Sequence, residues 1–416
     1  MTISCGIDFG TSNSAAAVTG CDTRLVPVEG DAITIPSAIF FDEEEKKALY
    51  GREAQAAYVE GYDGRFMRSL KRVLGTALMD EHTVVNGKAM RFQNIIGGFL
   101  RKLKNNAEAV AGQDLEHVVM GRPVFFIDGD QEGNQKAQNE LEEIARSIGF
   151  KHVSFQYEPI AAAFAHEQKV SKESLAIVVD VGGGTSDFTL VRLSPDRKEE
   201  IDRSQDILAN TGVRIGGNDF DKDLSIAAIM PSFGYGSVYG EKELQLPRAD
   251  FYDLSEWSKI NFVYTQQTLR YFQNILKQSQ EPEKIKRLVT VLEQHRAHHV
   301  LGTTEAAKIA LTEQDKIEAD LEYIETGLRV PVTIKQLNAA IKNDVVKVSG
   351  QIKECTQMAD IKTDQVDMII LTGGSTEIPY VQQMLCQHFP NAEISQENKL
   401  SSVALGLSYD AERVFA

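Results

Sequence analysis

The 416-residue sequence has only four cysteines, Cys5, Cys21, Cys355 and Cys386, and no two of them form a CxxC pair or a metal-ligand spacing. This excludes a disulfide framework and a thiolate metal knuckle, and reads as free thiols in a reducing compartment. No apolar run approaches the ~18–20 residues that span a bilayer. The opening MTISCGIDFG also lacks the basic-then-apolar order of a signal peptide. A cytoplasmic location is expected. No proline- or serine-rich linker and no low-complexity tract interrupts the chain. Positive charge is in short supply too: 44 Lys+Arg against 60 Asp+Glu give a formal net charge of −16, with no local basic patch. Neither nucleic acid nor an anionic membrane is an expected partner. A small polyanion remains compatible, because backbone N–H groups and a metal ion can hold one.

The hydrophobic fraction of 42% and charged fraction of 25% belong to an ordinary folded protein, and the length is too great for one compact core. An internal echo points to two lobes. Residues 3–18 read ISCGIDFGTSNSAAAV and residues 176–191 read AIVVDVGGGTSDFTLV. Each is an apolar strand ending in Asp, a glycine-containing turn, and a second apolar strand, so one supersecondary unit is used twice. Around these hairpins strands and helices alternate as in α/β lobes. Strands are expected at about 117–126, 152–156 and 367–372, and helices at about 132–148, after Pro159 and from about Ile378. Two stretches read as insertions: the region near 40–110, and a mostly helical segment from about 251 to 327 ending in a hairpin.

A phosphate chain needs several N–H donors converging on backbone that turns without Cβ obstruction. Gly10-Thr11-Ser12-Asn13 and Gly182-Gly183-Gly184-Thr185 each supply such a turn, and the hydroxyls of Thr11, Ser12 and Thr185 add donors or metal contacts. Asp8 and Asp180 lie at buried strand ends, where a carboxylate is costly without a partner. They fit a hydrated Mg²⁺ ion, which takes one or two carboxylates plus phosphate oxygens; capping of turn N–H groups is the alternative. Gly216-Gly217-Asn218-Asp219 opens a helix, either as an anion or ribose contact or as an ordinary N-cap. Gly373-Gly374 at a strand end permit close approach of a flat ring. Glu305, Lys308 and Thr312 share one helical face, which either lies along a nucleoside or is an exposed salt-bridged surface. His295, His298 and His299 read as a solvated face.

Taken in order, these segments resemble the nucleotide-binding domain of the DnaK-type, seventy-kilodalton heat-shock chaperones. GIDFGTSNS resembles that family's first phosphate motif, VVDVGGGTSDF the second, and IILTGGSTEIP its adenosine motif. LKRVLG, YEPIAAAFA, RIGGNDFD and EAAKIALT fall at the expected intervals between them. Within the family, GRPVFF, QYEP, GGND and a terminal Val-Phe resemble YegD-like members. The likeness implies an actin-like ATPase fold: α/β, ribonuclease H-like duplicated lobes, four subdomains around a nucleotide cleft. It implies ATP or ADP with Mg²⁺, and K⁺ as a further candidate ion. Asp8 and Asp180 would hold the metal, and the two glycine loops the phosphates. Lys71 would stand beside the γ-phosphate, with Glu158, Asp187 and Thr185 completing the water and metal network. Gly216, Gly217, Glu305, Lys308, Thr312, Gly373, Gly374, Ser375 and position 377 would line the nucleoside pocket.

Three departures qualify the likeness. Position 377 is Glu where the family usually has an Arg stacked on adenine, and a carboxylate cannot replace a guanidinium plane. Leu400 stands where the family has an acidic residue before its final helix. The sequence stops at Ala416, so a linker, a peptide-clamping β-sandwich and a helical lid are not expected within it. The expected layout is lobe I over 1–172 with an insertion at about 39–114, lobe II over 173–399 with an insertion at about 229–329, and a helix over 400–416 packing back on lobe I. The expectation is a slow, monomeric ATPase whose output is a nucleotide-dependent contact with a client, co-chaperone or exchange factor. An actin-fold sugar kinase, an actin-like filament protein and a sensor that barely hydrolyses are the alternatives.

Overall fold

The two echoed segments fold as expected in a computed structural model that describes residues 2–20, 23–127, 129–167, 170–197, 200, 202–257, 259–395 and 402–415. Strands β1 (Cys5–Asp8) and β2 (Asn13–Val18) pair antiparallel, with Asp8 opposite Ala15. β3 (His117–Arg122) lies parallel to β1, and β4 (His152–Tyr157) lies parallel to β3. The second echo repeats this plan. β5 (Ser174–Val181) and β6 (Ser186–Leu193) are antiparallel, and β7 (Met368–Thr372) runs parallel to β5. The near-continuous apolar residues of β3 and β5 suit strands buried on both faces.

Helices cover these sheets. Gln131–Ser147 starts at an Asp130 N-cap whose carboxylate accepts from the Gly133 N–H. The helix after β4 begins at Glu158, one residue before Pro159, and spans Glu158–Glu167. Proline is tolerated there because the first turn needs no intrahelical N–H bond. The C-terminal helix Ser402–Val414 packs Leu407 and Ala411 against Val119 and Ala161. Leu400 lies outside the described residues.

The described residues divide into two compact units: Met1–Gly212 with Gln351–Gly374 and Cys386–Ala416, and Val213–Gly350 with Ser375–Leu385. The position expected as the lobe boundary, 172/173, falls inside the first unit, which also holds the second sheet. The reason lies in the Glu158–Glu167 helix: its Ile160, Ala162, Ala163 and Phe164 share one core cluster with Ala176, Val178, Val191 and Ile370. Burial of those side chains, at ~25 cal/mol per Å² of apolar surface, ties the second sheet to that helix.

The second unit is mostly helical through Pro282–Glu293 and Ala297–Ala310, and then carries the hairpin Lys316–Asp320 with Arg329–Thr333. Of the three histidines, His295 is exposed as expected, whereas His298 is buried and His299 half-buried. His298 is buried beside Trp257, His295 stacks on Tyr264 with centroids 4.2 Å apart, and His299 lies 5.5 Å from the Tyr323 ring. The local pattern suggests polar exposure because it does not show the aromatic partners, which come from distant sequence. Among the described residues, no helix is long and apolar enough to cross a membrane.

Candidate active site

The first glycine turn is set by sterics. A Cβ at Gly10 would fall 2.0 Å from the Asn13 carbonyl oxygen, so only glycine closes this turn. Ser37, buried and distant in sequence, braces the turn from behind. Its hydroxyl donates to the Gly10 carbonyl at 2.7 Å and lies 2.8 Å from the Ser14 hydroxyl, while its N–H donates to the Ser12 carbonyl at 2.8 Å. The second turn closes with the Gly182 N–H donating to the Thr185 carbonyl at 3.0 Å. Arg72 reaches it as well, donating from Nη2 to the Gly184 carbonyl at 3.2 Å. Gly373 follows β7 at φ +77°, and a Cβ there would meet the Val181 carbonyl at 2.5 Å and Asp180 Oδ1 at 2.6 Å.

Between the turns stand the charged groups. Lys71 sits in a short 3₁₀ turn, Leu70–Val73, and its Nζ lies 2.5 Å from Glu158 Oε1. Both side chains are largely buried, at 8% and 16% exposure. Burial alone would lower the Lys71 ammonium. The carboxylates of Glu158, Asp8 and Asp180 outweigh that and hold it above its usual value. The aspartates are pushed the other way relative to their charged form. Burial first, then the negative charges of Glu158 and Asp180, push Asp8 up to about 8 despite Lys71. Burial and Glu158 push Asp180 up to about 6, against Lys71 and a hydrogen bond from Thr372. Asp180 is also the direct cross-strand partner of Asp187, a like-charge placement that costs stability unless a cation lies nearby. One ammonium therefore faces several convergent carboxylates.

This charge balance, flanked by two glycine turns on duplicated hairpins, can be set beside known proteins. The family model described as Hsp70 protein matches residues 4–234 and 270–412. The chain belongs to the Hsp70 family. Its fold is that family's actin-like ATPase fold. Among curated relatives it is 26% identical over 429 residues to the chaperone protein HscA homolog of Vibrio vulnificus (strain CMCP6), covering 98% of this chain and 57% of that one. It is 25% identical over 396 residues to the chaperone protein DnaK of Elusimicrobium minutum (strain Pei191), covering 92% and 53%. It is 24% identical over 416 residues to the chaperone protein DnaK of Thermosipho melanesiensis (strain DSM 12029 / CIP 104789 / BI429), covering 98% and 58%. The chain spans a little over half the length of these relatives.

The first unit thus brings together Asp8, Gly10–Asn13, Lys71, Glu158, Asp180, Gly182–Thr185, Asp187, Gly373 and Gly374 of the Hsp70-type motifs. The remaining nucleoside candidates lie in the second unit. There Gly216 caps the helix Gly217–Leu224, and its N–H donates to Asp219 Oδ2 at 2.9 Å, so one helix-end donor is spent internally. Lys308 is buried, not on an exposed salt-bridged surface. Its Nζ lies 2.8 Å from Asp221 Oδ1 and donates to the Gly217 carbonyl at 3.2 Å, which joins the two helices. Glu305 is half-buried on the same helix, Thr312 donates to the Ile309 carbonyl at 2.7 Å, and Ile309 itself is 59% exposed. Ser375 is buried and Glu377 exposed in a short 3₁₀ turn, Gly374–Glu377.

Ser37, Arg72 and Thr372 are absent from the residues that the sequence singles out. The first two lie outside the glycine motifs and act through backbone carbonyls, for which a sequence gives no pattern. Thr372 stands in the adenosine motif, but its bond to Asp180 depends on the β5–β7 register.

Proposed function

We propose that this Hsp70-family chain is a Mg²⁺-dependent ATP hydrolase that works as a nucleotide-driven switch. The observation that carries this reading is the buried Lys71–Glu158 pair at 2.5 Å, with Asp8 and Asp180 in its field. The donor set suits a hard divalent cation: carboxylate oxygens only, with proton affinities raised by burial first and then by neighbouring negative charge. Asp8 and Asp180 would hold that ion, which would neutralise phosphate charge when bound. The chain's own groups do the rest. The N–H groups and hydroxyls of Gly10–Asn13 and Gly182–Thr185 cradle phosphate oxygens. Lys71, kept protonated and aimed by Glu158, presents a fixed positive charge where negative charge grows during phosphoryl transfer. Glu158 and Asp187 orient water, and the residues around Gly216, Lys308 and Gly374 receive the nucleoside.

The relatives are chaperone proteins, DnaK and an HscA homolog, which supports an output in protein handling: a client, co-chaperone or exchange factor is contacted in one nucleotide state. We place the chain with YegD-like members of the family on GRPVFF and QYEP, and take it to act as a monomer in the cytoplasm. A second reading, a sensor with negligible turnover, is favoured by one observation: Glu377 is an exposed carboxylate at the position from which an arginine would stack on the base. Phosphate release from ATP by wild type and Lys71→Ala separates the two readings.

A further inference from the structure

Two short motifs have been given no physical role so far, GRPVFF at 121–126 and the residues that lead into Glu158 in QYEP at 156–159. The fold places them side by side: β3 and β4 are parallel neighbours, with Gly121 opposite Gln156 and Arg122 opposite Tyr157. The Arg122 guanidinium lies over two rings, 5.5 Å from the centroid of Phe126 and 5.1 Å from that of Tyr157. Its nitrogens donate to Gln138 Oε1, to the Pro123 carbonyl at 3.2 Å and to the Val124 carbonyl at 3.4 Å. One planar cation therefore fixes the turn after β3, the helix Gln131–Ser147 and the last residue of β4. The next residue is Glu158, and Gly121, just before the arginine, leaves room for it: a Cβ there would lie 3.1 Å from Glu158 Cγ.

Glu158 holds Lys71, so whatever fixes the Tyr157–Glu158 junction fixes the ammonium. Pro123, Val124, Phe125 and Glu158 also line one cavity of about 390 Å³ that reaches Asp180 and Asp187. Space on that side means that the strand end is not held by packing alone. We propose that Arg122 is a positioning residue: through Tyr157 and the Pro123–Phe126 turn it sets Glu158, and so Lys71, in the geometry used for hydrolysis. The inference rests on the hydrolase reading above. Lysine cannot substitute, because a point charge cannot stack between two rings and serve three acceptors in one plane.

The test uses the full chain as wild type, Arg122→Ala, Arg122→Lys, Tyr157→Ala and the Arg122→Ala/Tyr157→Ala double variant. In ATP turnover, kcat should fall on the order of ten- to a hundredfold in both alanine variants with KM little changed. Arg122→Lys should recover little, and the double variant should be no worse than the poorer single one. A second readout does not need activity. Acylation of Lys71 in nucleotide-free protein, followed by peptide mass mapping, should become severalfold faster in Arg122→Ala. Acylation of Lys104, the buried partner of Glu108, should stay at the wild-type rate. An unchanged Lys71 rate overturns the inference, and so does a parallel rise at Lys104, which would mark general loosening. If wild type releases no phosphate, the hydrolase reading fails and the labelling decides this inference by itself.

Discussion

Replacing Asp8 with asparagine should make the nucleotide-free protein more stable at pH 8 while damaging its function. Asp8 is raised from 3.8 to about 8, so the folded protein holds this proton more tightly than the unfolded chain does. The favourable contribution is complete below about pH 4 and is lost as pH rises through 8, where the fold must carry a charge it disfavours. Each tenfold gain in proton affinity on folding corresponds to ~1.4 kcal/mol, which would give a ceiling above ~5 kcal/mol. Asp8 keeps some solvent contact, and relaxation at the mouth of the site reduces the ceiling, so a gain on the order of 2–3 kcal/mol is expected at pH 8. At pH 5, little more than one unit above the unfolded-chain value of 3.8, the folded carboxyl is protonated and only the unfolded chain is ionised, so asparagine should give a much smaller gain. Thermal unfolding of both proteins at the two pH values measures this, with an expected rise of a few degrees at pH 8 and a clearly smaller one at pH 5. Added Mg²⁺ and ADP should stabilise wild type and have much less effect on Asp8→Asn. A variant that unfolds at the wild-type temperature at pH 8, or below it, would refute the reasoning, because Asp8 would then already be compensated within the chain.

Two further outcomes follow from the second unit. Lys308→Met leaves Asp221 without its ammonium in a buried setting, so unfolding should cost about 3–5 kcal/mol less than in wild type. If chemical denaturation shows no such loss and ATP affinity falls instead, Lys308 is a nucleoside contact and not a helix brace. Glu377→Arg should tighten ATP binding severalfold by calorimetry, since a guanidinium can stack on a base; unchanged affinity would place the base elsewhere.

The fold is legible largely because the chain uses one unit twice. The matched Asp and glycine turns at residues 8–13 and 180–187 predict both hairpins, and the parallel strands beside them follow from apolar runs bounded by turns. The glycine turns of the proposed phosphate site are legible for the same reason, because such a turn is a local feature. Contacts that join distant segments are not legible: Ser37 behind Gly10, Arg72 on Gly184, and Arg122 between Phe126 and Tyr157. Lys308 stays open to two readings in the sequence, one of them exposed, because i, i+3, i+7 spacing describes a face without saying what covers it. His298 and His299 mislead in the same way, since their aromatic neighbours at 257 and 323 come from other elements.

The Lys71–Glu158 pair is the centre of the proposed ATP hydrolase. The most direct measurement is single-turnover phosphate release from ATP with Mg²⁺, alongside nucleotide binding, for wild type and Lys71→Ala. Wild type should release phosphate slowly, and Lys71→Ala should lose release by a factor on the order of 10² or more with ATP affinity nearly unchanged. Equal release by the two proteins would contradict the role given to Lys71.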